Sequence, residues 1–162
     1  MMKAENIVVE ELNTSTLDGA IATIRSLPSY FYERDLRKAE KSYEAYVSGQ
    51  LKESIFLVAK EAEKVVGVVG AVKRGDANEV YYLASFAVHE GTRGKGIGRK
   101  ILKTLEDHLR SQKVRMLYTE TTTASYCDET RAFYEAMGYE MVAEVADYWD
   151  INDPLALYEK RL

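Results

Sequence analysis

One cysteine, two prolines, two histidines and one tryptophan are all that these 162 residues hold of those types. A single cysteine, Cys127, excludes an internal disulfide and leaves no thiolate set for zinc. His89 and His108 stand too far apart to suggest a metal pair, so no metal is expected. No apolar stretch approaches the ~20 residues of a membrane span, so no membrane partner is expected. A surplus of positive charge is missing as well. The net charge is −4, which argues against nucleic acid, whose phosphates need a basic face. The start, Met1 to Asn6, leads into a short apolar run with no secretory core, and a cytoplasmic location is expected. What is present is ordinary for a globular protein, with 46% hydrophobic and 30% charged residues. The length suits one domain over 1–162, burying roughly two-thirds of its unfolded surface.

Against that acidic balance, one segment stands out. Arg93, Lys95, Arg99, Lys100 and Lys103 crowd together, with no acid between Thr92 and Leu105. Gly94, Gly96 and Gly98 separate an apolar run ending at Val88 from an amphipathic stretch beginning at Ile97. The pattern reads as a strand, a tight turn and a helix N-terminus. Unpaired first-turn amides and the helix dipole make such a turn an anion site, and glycine lets the backbone approach closely. The G-x-G-x-G spacing fits neither a Walker loop nor a dinucleotide fingerprint. Simple capping of a helix is the plainer reading of the same residues.

Periodicity supplies the frame. Short β runs are expected at 7–9, 54–60, 65–72, 80–88, 116–121, 139–146 and 155–161. Helices are expected at 14–26, capped by Asn13, Thr14 or Ser15 and ended by Pro28, and at about 34–48, closed by Gly49. Two more follow the glycine turn and cover 130–137, the latter stopped by Gly138. The order βααβββαβαββ implies an α/β fold on a mainly antiparallel sheet, with 80–88 and 116–121 as a parallel crossover pair.

Arg93-x-x-Gly96-x-Gly98, preceded by Ala87-Val88, resembles the pyrophosphate-binding segment of the GNAT superfamily of acyl-CoA-dependent N-acetyltransferases. Phe133-Tyr134-Glu135-Ala136-Met137-Gly138-Tyr139 resembles a second signature of that superfamily, and the element order is also its order. Glu120-Thr121, Thr130-Arg131 and the ending Tyr158 to Leu162 are similar to one bacterial branch. The resemblance spans nearly the whole chain. It implies a GNAT-like mixed, mainly antiparallel central sheet flanked by helices, with splayed parallel strands around an acyl-CoA site.

The resemblance also implies roles. Backbone amides of Arg93, Gly94, Lys95, Gly96, Ile97 and Gly98 would hold the pyrophosphate of acetyl-CoA, the expected co-substrate. Lys95, Arg99, Lys100 or Arg131 would meet its 3′-phosphate, or simply face solvent. The edge of Phe86, Ala87 and Val88 would pair with the pantetheine like an added strand. Tyr134 would assist the departing thiolate; without the motif it reads as a packing aromatic. The usual base positions hold Tyr82 and Ala84, which leaves Glu120 as the best carboxylate, with an ion pair or a loop cap as its other reading and a water chain as the other route. Cys127 replaces a frequent cofactor-contacting Asn and reads as a small space-filler.

Seven acids and no Lys or Arg lie between Ala132 and Glu159, with Tyr148 and Trp149 among them. Such a wall would suit a cationic amine; a solvated strand face and loop is the plainer reading. The expected activity is acetyl transfer from acetyl-CoA to a primary amine of a small molecule. Protein N-terminal or lysine acetylation, or a non-catalytic acyl-CoA sensor, are the alternatives. A homodimer is a permitted assembly.

Overall fold

Ser54–Glu61 (β2) and Lys64–Lys73 (β3) pair antiparallel over their whole length around a tight turn at Ala62 and Glu63. β3 is rich in Val, β2 carries Ile, Phe, Leu, Val and Ala in a run, and both are buried on each face, as suits the middle of the sheet. This computed structural model describes residues 6–162; the expectation for the chain start falls mainly on Met1 to Glu5, outside the described residues. Ile7–Glu11 (β1) flanks β2, and Val80–Val88 (β4) flanks β3. Met116–Thr122 (β5), Asp153–Arg161 (β7) and Glu140–Asp150 (β6) complete the order β1-β2-β3-β4-β5-β7-β6. All neighbours are antiparallel except β4 and β5.

Among the described residues, four α-helices cover the sheet. Leu17–Arg25 (α1) and Glu33–Val47 (α2) bury Ala20, Ile24, Leu36 and Tyr43 against Phe56, Val58 and Val68. On the opposite face, Ile97–Ser111 (α3) presents Ile97, Ile101, Leu102, Leu105 and Leu109 to Leu57, Val66, Val69 and Leu117. This is the 3.6-residue stripe visible in the sequence. Asp128–Ala136 (α4) closes the same face beside β5 and β7 through Tyr134, Met137 and Tyr158.

Two expectations shift. Helix α1 begins at Leu17 rather than residue 14, because the Asn13 side chain accepts from Ser15 N–H at 2.9 Å and holds residues 13–16 in a turn. The last two strands run on to Asp150 and back from Asp153, where a loop over 147–154 was expected. Asp147 adopts φ +50° at an irregularity in β6, so the strand turns there and resumes.

Candidate active site

Strands β4 and β5 stay paired for only three residues, Val80 to Tyr82 against Met116 to Tyr118. Beyond Tyr82 they part. The cause lies in β4, where Ser85 and Phe86 together oppose Val69 of β3 and Ser85 takes φ +56°. Such a bulge bends its strand and strengthens the local twist. The β4 edge facing β5 is therefore unpaired from Leu83 to Val88, leaving main-chain donors and acceptors available.

The glycine turn stands at the end of that edge. Gly94 and Gly96 adopt φ +80° and +79°, a region that strains any residue with a Cβ. Gly96 is the N-cap of α3, and no side chain caps the helix. Its first amides thus have no side-chain partner. The two parted strands, this turn, α4 and the segment before α2 enclose one cavity of about 890 Å³. Phe86, Ala87, Val88, Arg93, Gly94, Gly96, Ile97, Gly98 and Arg99 line it, and so do Tyr134 and Glu120. Of the residues singled out from sequence for the cofactor, Lys95, Lys100 and Arg131 do not.

Two of the cations named for a 3′-phosphate are engaged elsewhere. The Arg131 guanidinium donates to the Thr122 and Ala124 carbonyls at 2.7 and 3.0 Å and pairs with Asp128. Lys100 donates from Nζ to the Ile7 carbonyl at 2.5 Å. Arg99 remains on the cavity wall.

Tyr134 is buried in an aromatic cluster, with ring centroids 5.5 Å from Tyr139, 5.8 Å from Phe133 and 6.2 Å from Phe86. Burial pushes its phenol up to about 12, against a smaller opposite pull from the Thr119 hydroxyl. The group is therefore a neutral donor throughout the working pH range. Glu120, one residue on from Thr119, points to the other face of the sheet, where Tyr82 and Tyr118 stack at 5.4 Å. It is exposed to the cavity and has no ion-pair or hydrogen-bond partner among the described residues. Cys127 is a buried free thiol on the cavity wall, and burial raises its pKa.

Of the two readings of the acidic stretch, the solvated face is the one that holds. None of the seven carboxylates between Ala132 and Glu159 lines the cavity, and Tyr148 faces solvent. Only Trp149 reaches it, donating from Nε1 to the Thr121 carbonyl at 3.0 Å. Glu135 instead accepts from Tyr158, and Asp153 is buried. Asp153 Oδ2 accepts from the Tyr32 phenol at 2.5 Å and from the Tyr126 phenol at 3.0 Å. Arg34 lies 4.5 Å over the Tyr32 ring and donates to the Trp149 carbonyl at 2.8 Å. These contacts form a clasp between the start of α2 and the β6–β7 hairpin. Sequence reasoning missed it, although three consecutive aromatics in a loop, Tyr30-Phe31-Tyr32, were a signal. A second bridge joins the turn to Tyr30 and α4: Arg93 donates to the Tyr30 hydroxyl at 3.0 Å and lies 3.8 Å from Glu129.

Comparison with known proteins assigns the architecture. Residues 21–139 match the model of the acetyltransferase (GNAT) family, and the chain belongs to that family. A curated relative from Xenopus tropicalis, named probable N-acetyltransferase camello, is 30% identical over 122 residues, 75% of this chain and 52% of the relative. The chain thus spans about half the length of that relative. Among solved structures, a GNAT-family protein from Desulfovibrio desulfuricans superposes with a TM-score of 0.85 at 19% identity, covering 96% of this chain and 98% of that one. An aminoglycoside 6′-N-acetyltransferase complexed with coenzyme A gives 0.76 at 18% identity over 95% and 96%. The ribosomal-protein-S18-alanine N-acetyltransferase of Escherichia coli gives 0.76 at 18% identity over 96% and 93%. At these identities the likeness is one of fold.

Proposed function

We propose that the chain is a single acetyltransferase domain that moves an acetyl group from acetyl-CoA to a primary amine of a small molecule. One observation carries the reading: the parted β4 and β5 strands place an uncapped glycine turn, a buried neutral phenol and an unpaired carboxylate on one cavity. The donor set suits an acyl-CoA. The Arg93 amide donates to the Glu90 carbonyl, whereas the glycine turn from Gly94 to Gly98, which no side chain caps, matches a pyrophosphate, and Arg99 adds charge beside it. The unpaired β4 edge at Phe86, Ala87 and Val88 matches the amides of a pantetheine arm as an added strand.

The chemistry asks for a proton acceptor at the amine and a donor at the leaving sulfur. Glu120 accepts the ammonium proton from the α2 face of the cavity. Tyr134 donates a hydrogen bond to the departing sulfur from the α4 face. With its phenol near 12 and a thiol near 8.5, full proton transfer runs against more than three powers of ten. Its help is therefore a positioned hydrogen bond, and the proton itself leaves through Glu120 and water. The two roles lie on opposite faces of the sheet, so the amine attacks from one side while the sulfur leaves on the other.

The neighbours act on an aminoglycoside and on a ribosomal protein, so fold alone does not choose the acceptor. The test is turnover of acetyl-CoA, followed by CoA release, over a panel of small amines and N-terminal peptides. Turnover of small amines supports the reading. Tight CoA binding with no amine turned over would make the chain an acyl-CoA sensor instead.

A further inference from the structure

The charges on the α2 side of the cavity are few, and most can be paired off. Lys73 donates to Glu53 at 2.7 Å, and Asp35 stands 4.0 Å from Arg34. What is left is one carboxylate, Glu120, and two cations, Lys38 and Arg74. Neither cation is in an ion pair among the described residues. Arg74 is held over the Tyr82 ring at 5.3 Å, on the same floor that carries Glu120. Lys38 projects from α2 beside the buried Leu36 and Ala39, on the wall that faces this floor. All three side chains are exposed to solvent, so they stand hydrated, and unpaired charges of both signs on one cavity attract a ligand of complementary charge. The clasp adds a limit of shape. With Tyr32 bonded to Asp153 and Arg34 to the Trp149 carbonyl, that end of the cavity is bridged, which favours a compact acceptor over an extended chain.

We propose that the acceptor is a compact zwitterionic amine, its ammonium at Glu120 and its anionic group, a carboxylate or phosphate, at Lys38 and Arg74. The inference deepens the acetyl-transfer reading and rests on it. It also separates this chain from enzymes of protein N-termini, whose amine carries no anion within a few bonds.

The experiment uses the full chain saturated with CoA and matched pairs of ligands read by calorimetry. The probes are the standard α-amino acids, 4-aminobutyrate and phosphoethanolamine, each against its carboxamide or, for the last, ethanolamine. At least one anion-bearing member is expected to bind ten-fold or more tightly than its neutral counterpart. In Lys38→Met and Arg74→Gln that ratio is expected to fall below about three-fold, while CoA affinity stays as in the wild type. Neutral members binding as tightly as their acids, or no anion-bearing probe binding at all, would overturn the proposal. The binding readout is independent of chemistry. Zwitterion binding without acetylation would sink the transferase reading alone, and acetylation that favours neutral amines would sink this proposal alone.

Discussion

The Tyr32 phenol donates a hydrogen bond to Asp153 Oδ2 at 2.5 Å, across 121 residues of sequence. Its position explains its importance. Helix α2 rides on the β1–β4 half of the sheet, whereas Asp153 begins β7 in the other half. Only three residue pairs of β4 and β5 join those halves in the sheet itself. On the open side, the Tyr32–Asp153 bond and the Arg93–Glu129 pair at 3.8 Å bridge the gap.

Burial works to raise the Asp153 carboxyl, but hydroxyls of Thr122, Tyr32 and Tyr126 outweigh it and hold it below the usual carboxylate range. A depressed folded pKa means that its stabilisation is present above the unfolded value, about 3.9, and is lost as pH falls through the folded one. Asp153→Asn should therefore melt below the wild type by a constant margin from pH 7 to 5. That margin should shrink below about pH 4. A margin undiminished at pH 3 would assign the effect to packing. Tyr32→Phe should cost about 1 kcal/mol, since the ring is partly exposed.

The two glycines of the turn should behave differently. Gly96 sits at φ +79°, so Gly96→Ala strains the backbone by roughly 1–2 kcal/mol and re-aims the first amides of α3. A Cβ at Gly98 would meet Phe133, Phe86 and Val88 at 3.5 Å, an ordinary contact. Calorimetry should show CoA affinity falling by ten-fold or more in Gly96→Ala and little in Gly98→Ala. Gly98→Val, which must push those side chains into the cavity, should lose binding as well. Equal, wild-type affinity in all three would remove the turn from the donor site.

Glu106 is a stability device rather than a site. It is buried on α3, accepts from Tyr139 at 2.9 Å and pairs with Lys160 at 2.8 Å. Lys160 also donates to the Met137 carbonyl, so one cluster ties α3 to β7 and to the end of α4. Glu106→Ala leaves Lys160 without its counter-charge and should cost roughly 3 kcal/mol in denaturant melts. Glu106→Leu with Lys160→Met should recover most of that loss, because the pair's own desolvation disappears with it.

The contrast between what was legible and what was not follows from the range of the interactions. The glycine turn, the α3 stripe and the Tyr134 segment are local patterns, and each appears where the spacing placed it. Glu120 was legible because a parallel strand end carries it to the same opening as β4. The bulge at Ser85 was not, since nothing in Leu83-Ala84-Ser85-Phe86 marks a left-handed residue. The acidic stretch left two readings open because charge was counted along the chain; β6 is an edge strand of the sheet, and none of those carboxylates lines the cavity. The clasp joins residues from opposite ends of the sequence, and no spacing rule reaches that far.

Tyr134→Phe removes the phenol while keeping the ring that packs against Tyr139 and Phe133. Turnover should fall by roughly 10²-fold, with CoA affinity and melting temperature close to wild type. Because burial pushes the phenol up to about 12, its ionisation should leave no basic limb on kcat below pH 10. A limb near pH 10 that vanishes in the Phe variant would mean that water reaches the phenol and that proton transfer, not hydrogen bonding, is its role.

Glu120 carries the last prediction, and its two readings separate cleanly. As the base, it must be ionised to accept the ammonium proton, so kcat/KM should fall on the acidic side as the carboxylate is protonated. Glu120→Gln keeps the shape and hydrogen-bonding reach but cannot accept a proton, and the acidic limb should flatten while kcat drops. As an anchor for the ammonium alone, the same variant should raise the KM of the amine and leave the limb in place. Because the side chain is exposed to the cavity and makes no ion pair among the described residues, neither change should disturb folding. An unaltered melt is therefore the control. A variant matching the wild type in both limb and magnitude would reject both roles and move the proton to a chain of waters along Tyr82.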